Sequence, residues 1–342
     1  MAKILITGGA GFIGSQLAHR LWTMGHDISI IDDMSYGKMD NMQFDDVDLT
    51  KFLTQHDISD ATFMDIFMSK LKPDYVYNIA GIAPLPDNQL NPARAIEVNV
   101  KGLVNVLEAS RKYGVKKIVQ ASTNAMYENV KTMPCDEKME IAPTLIYPNT
   151  KYCAEQFARS YCETYGMNVT CLRFANVYGP HVDCLRKQPP FVAYMIRELH
   201  YDRVPTFYST GEQRRDYIYV DDLIDLAYAA ITKPDTGFDI VNCSSNTNYS
   251  VRELFDLTKK IMGKNIEANF DTADHFWDKY PELKQGSYRI KDSVLDHEVN
   301  KETLCRNYVA KKKYGWEPKV SIETGMTNMV RETVKYLKSL EN

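Results

Sequence analysis

The 342-residue chain lacks what several function classes require. It has no apolar run of the roughly 20 residues that a bilayer-spanning helix needs, so no membrane span is expected. Basic residues are not in excess. The 41 basic and 45 acidic side chains leave a net charge of −4, which offers no electrostatic footprint for nucleic acid or a membrane surface. Cysteine is sparse and odd in number, at Cys135, Cys153, Cys162, Cys171, Cys184, Cys243 and Cys305. None of these forms a C-x-x-C pair, and no His/Cys cluster has zinc spacing, so no metal is predicted. Such a scattered set reads as reduced thiols, most of them small buried hydrophobes, in a cytoplasmic compartment. A predicted strand already begins at Lys3, leaving no room for the charged and apolar regions of a signal peptide. Internal repeats and low-complexity segments are missing as well.

What is present is ordinary globular composition, 44% hydrophobic and 25% charged, at a length that buries a sizeable core. In the first half, strand and helix signals alternate. Strands are predicted at Lys3–Thr7 and at 27–31, 75–79, 117–120 and 169–173. Helices are predicted at 12–24 and 92–112, the latter with Ile96, Val100, Leu103, Val104 and Leu107 on one face. Right-handed βαβ units and a parallel sheet covered on both faces follow, which is a Rossmann-like, doubly wound α/β fold. After Asn176 the pattern is irregular. Pro180, Pro189 and Pro190 bracket a loop, and a helix at 191–199, a strand at 215–220, a helix at 223–231 and a strand at 239–241 come next. A polar stretch over 265–300 precedes a last helix at 322–340. This divides the chain into a Rossmann domain over 1–175, to which 215–243 returns, and a smaller mixed lobe over 176–342.

The first strand runs into Gly8-Gly9-Ala10-Gly11-Phe12-Ile13-Gly14, which opens the first helix. In that context Gly8 permits a tight turn, Gly11 lets backbone approach a pyrophosphate, and Gly14 lets helix pack on strand. The helix N-terminus then offers free N–H groups to the phosphates. Asp32 ends the second strand at the distance where a carboxylate meets adenosine ribose hydroxyls. Asp33 adds negative charge, and neither position offers the arginine that a 2′-phosphate wants, so NAD is expected as the cofactor rather than NADP.

Tyr147-Pro148-Asn149-Thr150-Lys151 begins a helical stretch. Tyrosine and lysine at i and i+4 share a helix face, and a neighbouring ammonium favours the phenolate, making the tyrosine a general base. By itself the pattern is common. Here it follows a strand and Ala121-Ser122-Thr123-Asn124-Ala125-Met126-Tyr127, in order with the glycine turn and Asp32.

Together these motifs resemble the extended short-chain dehydrogenase/reductases, in particular the NAD-dependent nucleotide-sugar 4-epimerases and their dehydratase relatives. The resemblance runs from Lys3 to about Leu223 and returns at Tyr314-Gly315-Trp316-Glu317-Pro318. It implies that Asp57 and Ile58 hold adenine, that Ala80-Gly81 turns beside the pyrophosphate, and that Asn99 stabilises a central helix near the active site. Arg173-Phe174-Ala175-Asn176-Val177-Tyr178-Gly179-Pro180 resembles the segment whose asparagine, Asn176 here, contacts the substrate diphosphate. Residues 211–222 are similar to the family's signature in which the arginine matched by Arg215 binds substrate phosphate. The implied partners are a nucleotide-diphosphate sugar and a second copy of the chain. In such a homodimer the helices at 92–112 and 147–165 form a four-helix bundle.

The chemistry implied is abstraction of a sugar hydroxyl proton, most often at C4, by Tyr147 assisted by Thr123. Hydride passes to NAD, and Lys151 holds the nicotinamide ribose. Hydride return to the opposite face gives epimerisation. Dehydratases of the family carry Asp-Glu where this chain has Asn124-Ala125, and neither residue is a general acid or base. Decarboxylases usually carry glutamate at Ala125, and 3,5-epimerases and epimerase/reductases need cysteine there. His181, however, resembles the acid of those reductases, with Cys184 and Lys187 in the same loop facing the sugar. A 4-epimerase is therefore ranked first, with 3,5-epimerase or 4-reductase chemistry open and a non-catalytic dinucleotide sensor as the reading outside enzymes. Two departures stand out. Glu128 replaces a glycine, and the family's late nucleotide-binding arginine is unrecognisable, Arg289 being the nearest candidate.

Overall fold

In Lys3–Thr7 the side chains of Ile4 and Ile6 point to one side and Leu5 to the other, and all three are buried. Ile4 and Ile6 join Leu17, Leu21 and Leu223 in one core, and Leu5 joins Met64, Leu103 and Leu107 in a second. A strand that alternates between two cores lies in a sheet covered on both faces. The computed structural model describes residues 1–233 and 237–341 of the chain. Among them no helix is long and apolar enough to cross a membrane.

The central sheet is built from β1 (Lys3–Thr7), β2 (Asp27–Asp32), β3 (Leu53–Gln55), β4 (Tyr75–Asn78), β5 (Lys117–Thr123), β6 (Val169–Phe174) and a late strand Phe238–Cys243. All seven are parallel, in the order β3-β2-β1-β4-β5-β6 followed by the late strand. The order reverses between β1 and β4, and a crevice opens at the strand C-termini at such a switch point. The glycine turn leads from β1 into α1 (Phe12–Thr23), and α2 (Ala61–Leu71) connects β3 to β4. The short polar strand β3 carries no apolar alternation and is not among the strands expected from the sequence.

The helix expected over 92–112 is not continuous. It consists of Pro92–Ile96, a wider π-type turn at Glu97–Gly102 and α3 (Leu103–Tyr113). The widened turn carries Asn99 and contributes buried Val98 and Val100, and such bulges concentrate at functional sites. Next on this face is α4 (Ile146–Tyr165), which starts with the Tyr147 motif. Glu128, at the position where a glycine was expected, accepts from the backbone N–H groups of Thr144 and Leu145 at the entry to α4. It thereby satisfies donors at the approach to the helix.

The remaining lobe holds β7 (Asn176–Tyr178) and β8 (Arg214–Tyr219), which pair in parallel, and Asn248–Ser250, which pairs antiparallel to β8. The strand expected at 215–220 therefore lies in this small sheet, outside the central one. Its successor helix, Val220–Thr232, packs back on the main sheet. The polar stretch after residue 265 forms short turns at Ala273–Lys279 and Pro281–Lys284 and a helix at Asp292–Asn300. These share a small core of Trp277, Tyr280, Leu283 and Leu295. The segment touches both sides of the crevice, Thr206–Tyr208 on one and Leu85–Leu90 on the other.

Candidate active site

One continuous cleft follows the C-terminal ends of the strands, lined by residues from Gly8 to Met329 and therefore by both parts of the chain. Its floor is the glycine turn. Gly8 has φ +71, and a side chain on Gly14 would overlap the Gly8 carbonyl. The backbone there lies as close to itself as glycine allows. Gly11, which has no side-chain cap, opens α1 towards the cleft. Phe12, Ile13 and Gly14 also line it. This uncapped N-terminus over a glycine cradle fits a dinucleotide pyrophosphate.

At the far end Asp32 lines the cleft from the tip of β2. Its two carboxylate oxygens accept from the N–H groups of Ala10 (2.9 Å) and Met34 (2.8 Å), while burial pushes its pKa up. Asp57 and Ile58 line the same end. The sequence reading missed Arg94, which sits among carboxylates at this end, 2.5 Å from Asp57, 3.2 Å from Asp33 and 3.0 Å from Glu97. Glu97 also pairs with Lys101 at 3.8 Å, so two cations meet three carboxylates and the cluster stays net negative, which suits a ribose with free hydroxyls better than a 2′-phosphate. Patterning along the chain could show only the i, i+3 pair with Glu97, because Asp33 and Asp57 come from two distant segments.

Tyr147 and Thr123, the latter at the tip of β5, both line the cleft at its other end, near enough for the Thr123 hydroxyl to act on the phenol. Burial raises the Tyr147 pKa, and the hydroxyl of Thr123 opposes that rise. Lys151, one turn along α4, is buried, and its Nζ donates to the Ala121 carbonyl at 3.2 Å. Burial draws its pKa down to about 8, against a smaller upward pull from Cys171 and Glu155. Ala80 and Gly81 line the cleft beside this group. A Cβ on Gly81 would stand 3.0 Å from Lys151 Nζ, so only glycine leaves the ammonium its place. Asn99 lies behind the wall. Its amide donates to the Ile82 carbonyl (3.1 Å) and Thr150 hydroxyl (3.0 Å) and accepts from Ile82 N–H (2.8 Å). It fastens the turn after β4 to α4.

Asn124 adds something the sequence reading discounted. It is no acid or base, yet its Nδ2 is buried in the cleft lining with no partner among the described residues. Trp277, 1% exposed, likewise presents an unpartnered Nε1. Buried donors without acceptors are rare in folded proteins; the Asn124 side chain also reaches the buried Cys305 thiol.

The substrate residues named from the sequence divide. Asn176 lines the cleft, held by a bond from its Nδ2 to the Asp216 carbonyl (2.9 Å). Arg215 lines it too, with NH2 donating to the Glu298 and Val299 carbonyls at 3.0 and 3.2 Å. His181 lines the cleft but faces α1. Its Nδ1 lies 3.4 Å from Ser15 Oγ, its ring is 5.1 Å from that of Phe44, and burial lowers its pKa. Lys187 is not in the lining. It is exposed, with Nζ over the Tyr280 ring at 4.4 Å. Cys184 is fully buried in the core, not turned to a sugar. Arg289 is also elsewhere, paired with Asp292 at 2.9 Å. Lys279, a cation the sequence reading passed over, lines the cleft instead.

A family model described as the NAD dependent epimerase/dehydratase family matches residues 4–244. Over 96% of this chain and 97% of its own length, a putative UDP-glucose 4-epimerase of Methanocaldococcus jannaschii is 28% identical. A UDP-glucuronate 4-epimerase of Thermodesulfobacterium geofontis is 26% identical over the full length of both. The crystal structure of UDP-glucose 4-epimerase with UDP-glucose from Thermotoga maritima superposes with a TM-score of 0.85 at 31% identity, covering 98% of this chain and 99% of that one.

Proposed function

We propose that this chain, which belongs to the NAD-dependent epimerase/dehydratase family, is an epimerase that inverts C4 of a nucleotide-diphosphate sugar through a transient keto sugar. The observation that carries this reading is that Tyr147 and Thr123 line the same cleft as the glycine turn and Arg215, with buried Lys151 one turn from Tyr147. Similarity to UDP-sugar 4-epimerases over the whole chain supports it.

Bound NAD supplies the hydride acceptor and donor. Tyr147 takes the C4 hydroxyl proton, and Thr123, donating to the phenolate, holds its orientation. Lys151, cationic below about pH 8, stabilises the phenolate and reaches the nicotinamide ribose. Arg215 and Asn176 grip the diphosphate, leaving the sugar ring free to present either face. Neither Asn124 nor Ala125 can move a proton. That pair disfavours dehydration and decarboxylation. The position of His181 against Ser15 and Phe44 disfavours a second acid for 3,5-epimerisation or 4-reduction.

The experiment is NMR of the purified protein with UDP-, GDP-, CDP- and dTDP-sugars. Two C4 epimers should interconvert without net consumption of NAD. A product that has lost water or carbon dioxide would overturn the reading.

The assembly follows as a homodimer. Ile96, Phe157 and Tyr165 are 52%, 41% and 54% exposed on the helices at 92–113 and on α4, which leaves apolar surface on the pair of helices expected to form the four-helix bundle.

A further inference from the structure

Arg186 stands in the loop between β7 and the helix Phe191–His200 and forms part of the cleft wall. Its Nε donates to the Gln188 carbonyl at 2.6 Å, which fixes the plane of the guanidinium. The two terminal nitrogens have no hydrogen-bond partner among the described residues, and no carboxylate lies within ion-pair distance. The two carboxylates whose charge reaches it are engaged by other groups, Asp183 also accepting from the backbone N–H of Arg186 at 3.3 Å. Asp183 takes Lys38 at 2.7 Å, and Asp87 takes the Tyr36 hydroxyl at 2.6 Å. Burial outweighs them and draws the Arg186 pKa down. A partly desolvated cation left without a direct counter-ion is costly, and it is restored by an anion arriving from the cleft.

Its place narrows what that anion is. Asp87 belongs to the short helix Leu85–Leu90. Two residues on, Gln89 Oε1 accepts from Ile146 N–H at 2.6 Å, immediately before Tyr147. Arg186 thus stands between the loop after β2, which carries Tyr36 and Lys38, and the short helix that braces the start of α4. Arg215, on β8, is braced by the helix Asp292–Asn300 and serves the diphosphate. A guanidinium with a fixed plane and two open parallel donors matches a carboxylate.

We propose that Arg186 selects a substrate whose sugar carries its own carboxylate, a nucleotide-diphosphate uronic acid or similar sugar acid, by a fork-to-fork bond to that group. This rests on the epimerase reading and deepens it. The same chemistry has a second source, the pyrophosphate of the cofactor, and the experiment separates the two.

The test compares kcat/KM for a nucleotide-diphosphate uronate and for the neutral hexose with the same nucleotide, in the wild type, Arg186→Gln and Arg186→Lys, with the NAD dissociation constant measured for each. The wild type should favour the uronate. Arg186→Gln should lower the uronate-to-neutral ratio by roughly 10- to 100-fold, the range for one charge-assisted pair. Arg186→Lys, keeping the charge but not the fork, should fall between, and NAD affinity should hold in both. A wild type that favours the neutral sugar overturns the inference and leaves the epimerase standing, and this arm needs no variant to fold. A loss of NAD affinity with an unchanged ratio overturns it in favour of the cofactor pyrophosphate. Turnover of neither sugar removes the epimerase reading and the inference with it.

Discussion

Arg173 and Glu155 meet through two hydrogen bonds, at 2.7 and 3.0 Å, with side chains 3% and 0% exposed. The pair lies beneath the reacting end of the cleft. Glu155, one turn beyond Lys151, also accepts from the Ser122 hydroxyl at 2.6 Å. Arg173 reaches the Tyr127 hydroxyl at 2.7 Å, and Tyr127 donates to Asn242 at 2.9 Å. The network joins β5, α4, β6 and the Phe238–Cys243 strand. Arg173→Met would leave Glu155 buried and unpaired, at a cost of about 3–5 kcal/mol. Urea denaturation should show that loss, and adding Glu155→Gln should recover much of it. A loss below about 1 kcal/mol, the scale of an exposed pair, would contradict the role given to this pair.

The proton chemistry is tested at two residues. Tyr147→Phe keeps the ring and should fold and bind NAD, yet lose on the order of 10²–10⁴-fold in turnover, the usual cost of a missing general base. His181→Ala should retain most of the rate. In heavy water the product should carry no carbon-bound deuterium, because hydride return needs no exchange with solvent. Full activity of Tyr147→Phe, or deuterium on a sugar carbon, would contradict the assignment.

Lys151 gives a pH signature. Its folded pKa, about 8, lies below the ordinary 10.5. Between these values the unfolded chain binds a proton that the folded chain does not, so the contribution of this group to stability rises with pH across that window. Two and a half units correspond to about 3 kcal/mol. Relative to Lys151→Met, the cofactor-free wild type should therefore gain stability from pH 8 to 10.5, followed by chemical denaturation at each pH. Parallel curves for the two proteins would show that the lysine is not desolvated.

Arg215→Ala tests the diphosphate clamp proposed for this residue. The Michaelis constant should rise roughly 10- to 100-fold, as expected for one charge-assisted contact, with NAD affinity intact. Because Arg215 also holds the end of the helix Asp292–Asn300, a thermal melt should accompany the kinetics. An unchanged Michaelis constant in a folded variant would contradict the role.

Cofactor choice is tested by direct binding. Asp33, Asp57 and Glu97 outnumber the cations Arg94 and Lys101 that pair with them, and Asp32 adds a further carboxylate at the adenosine end. A 2′-phosphate meets net repulsion there, so NAD should bind more tightly than NADP. Titration calorimetry with both dinucleotides decides this, and equal affinities would speak against it.

The sequence by itself determined the elements that depend on near neighbours. Apolar alternation in Lys3–Thr7, the glycine spacing from Gly8 to Gly14 and the one-turn separation of Tyr147 and Lys151 are local. They announced the parallel sheet, the glycine turn and the helix that carries Tyr147 and Lys151. Tertiary structure alone decided what depends on partners far apart in the chain. Strand β3 is polar and forms only because β2 offers an edge. The helix at 92–112 widens at Asn99, whose amide bridges Ile82 and Thr150. Strand β8 left the central sheet because β7 and Asn248–Ser250 pair with it instead. His181, placed near the sugar by its neighbours in sequence, packs on Ser15, 166 residues away. Arg94, Arg186 and Trp277 carry no motif at all. Their meaning comes from which carboxylates, carbonyls and cleft walls folding brings beside them, and burial sets the cost of leaving each unpaired.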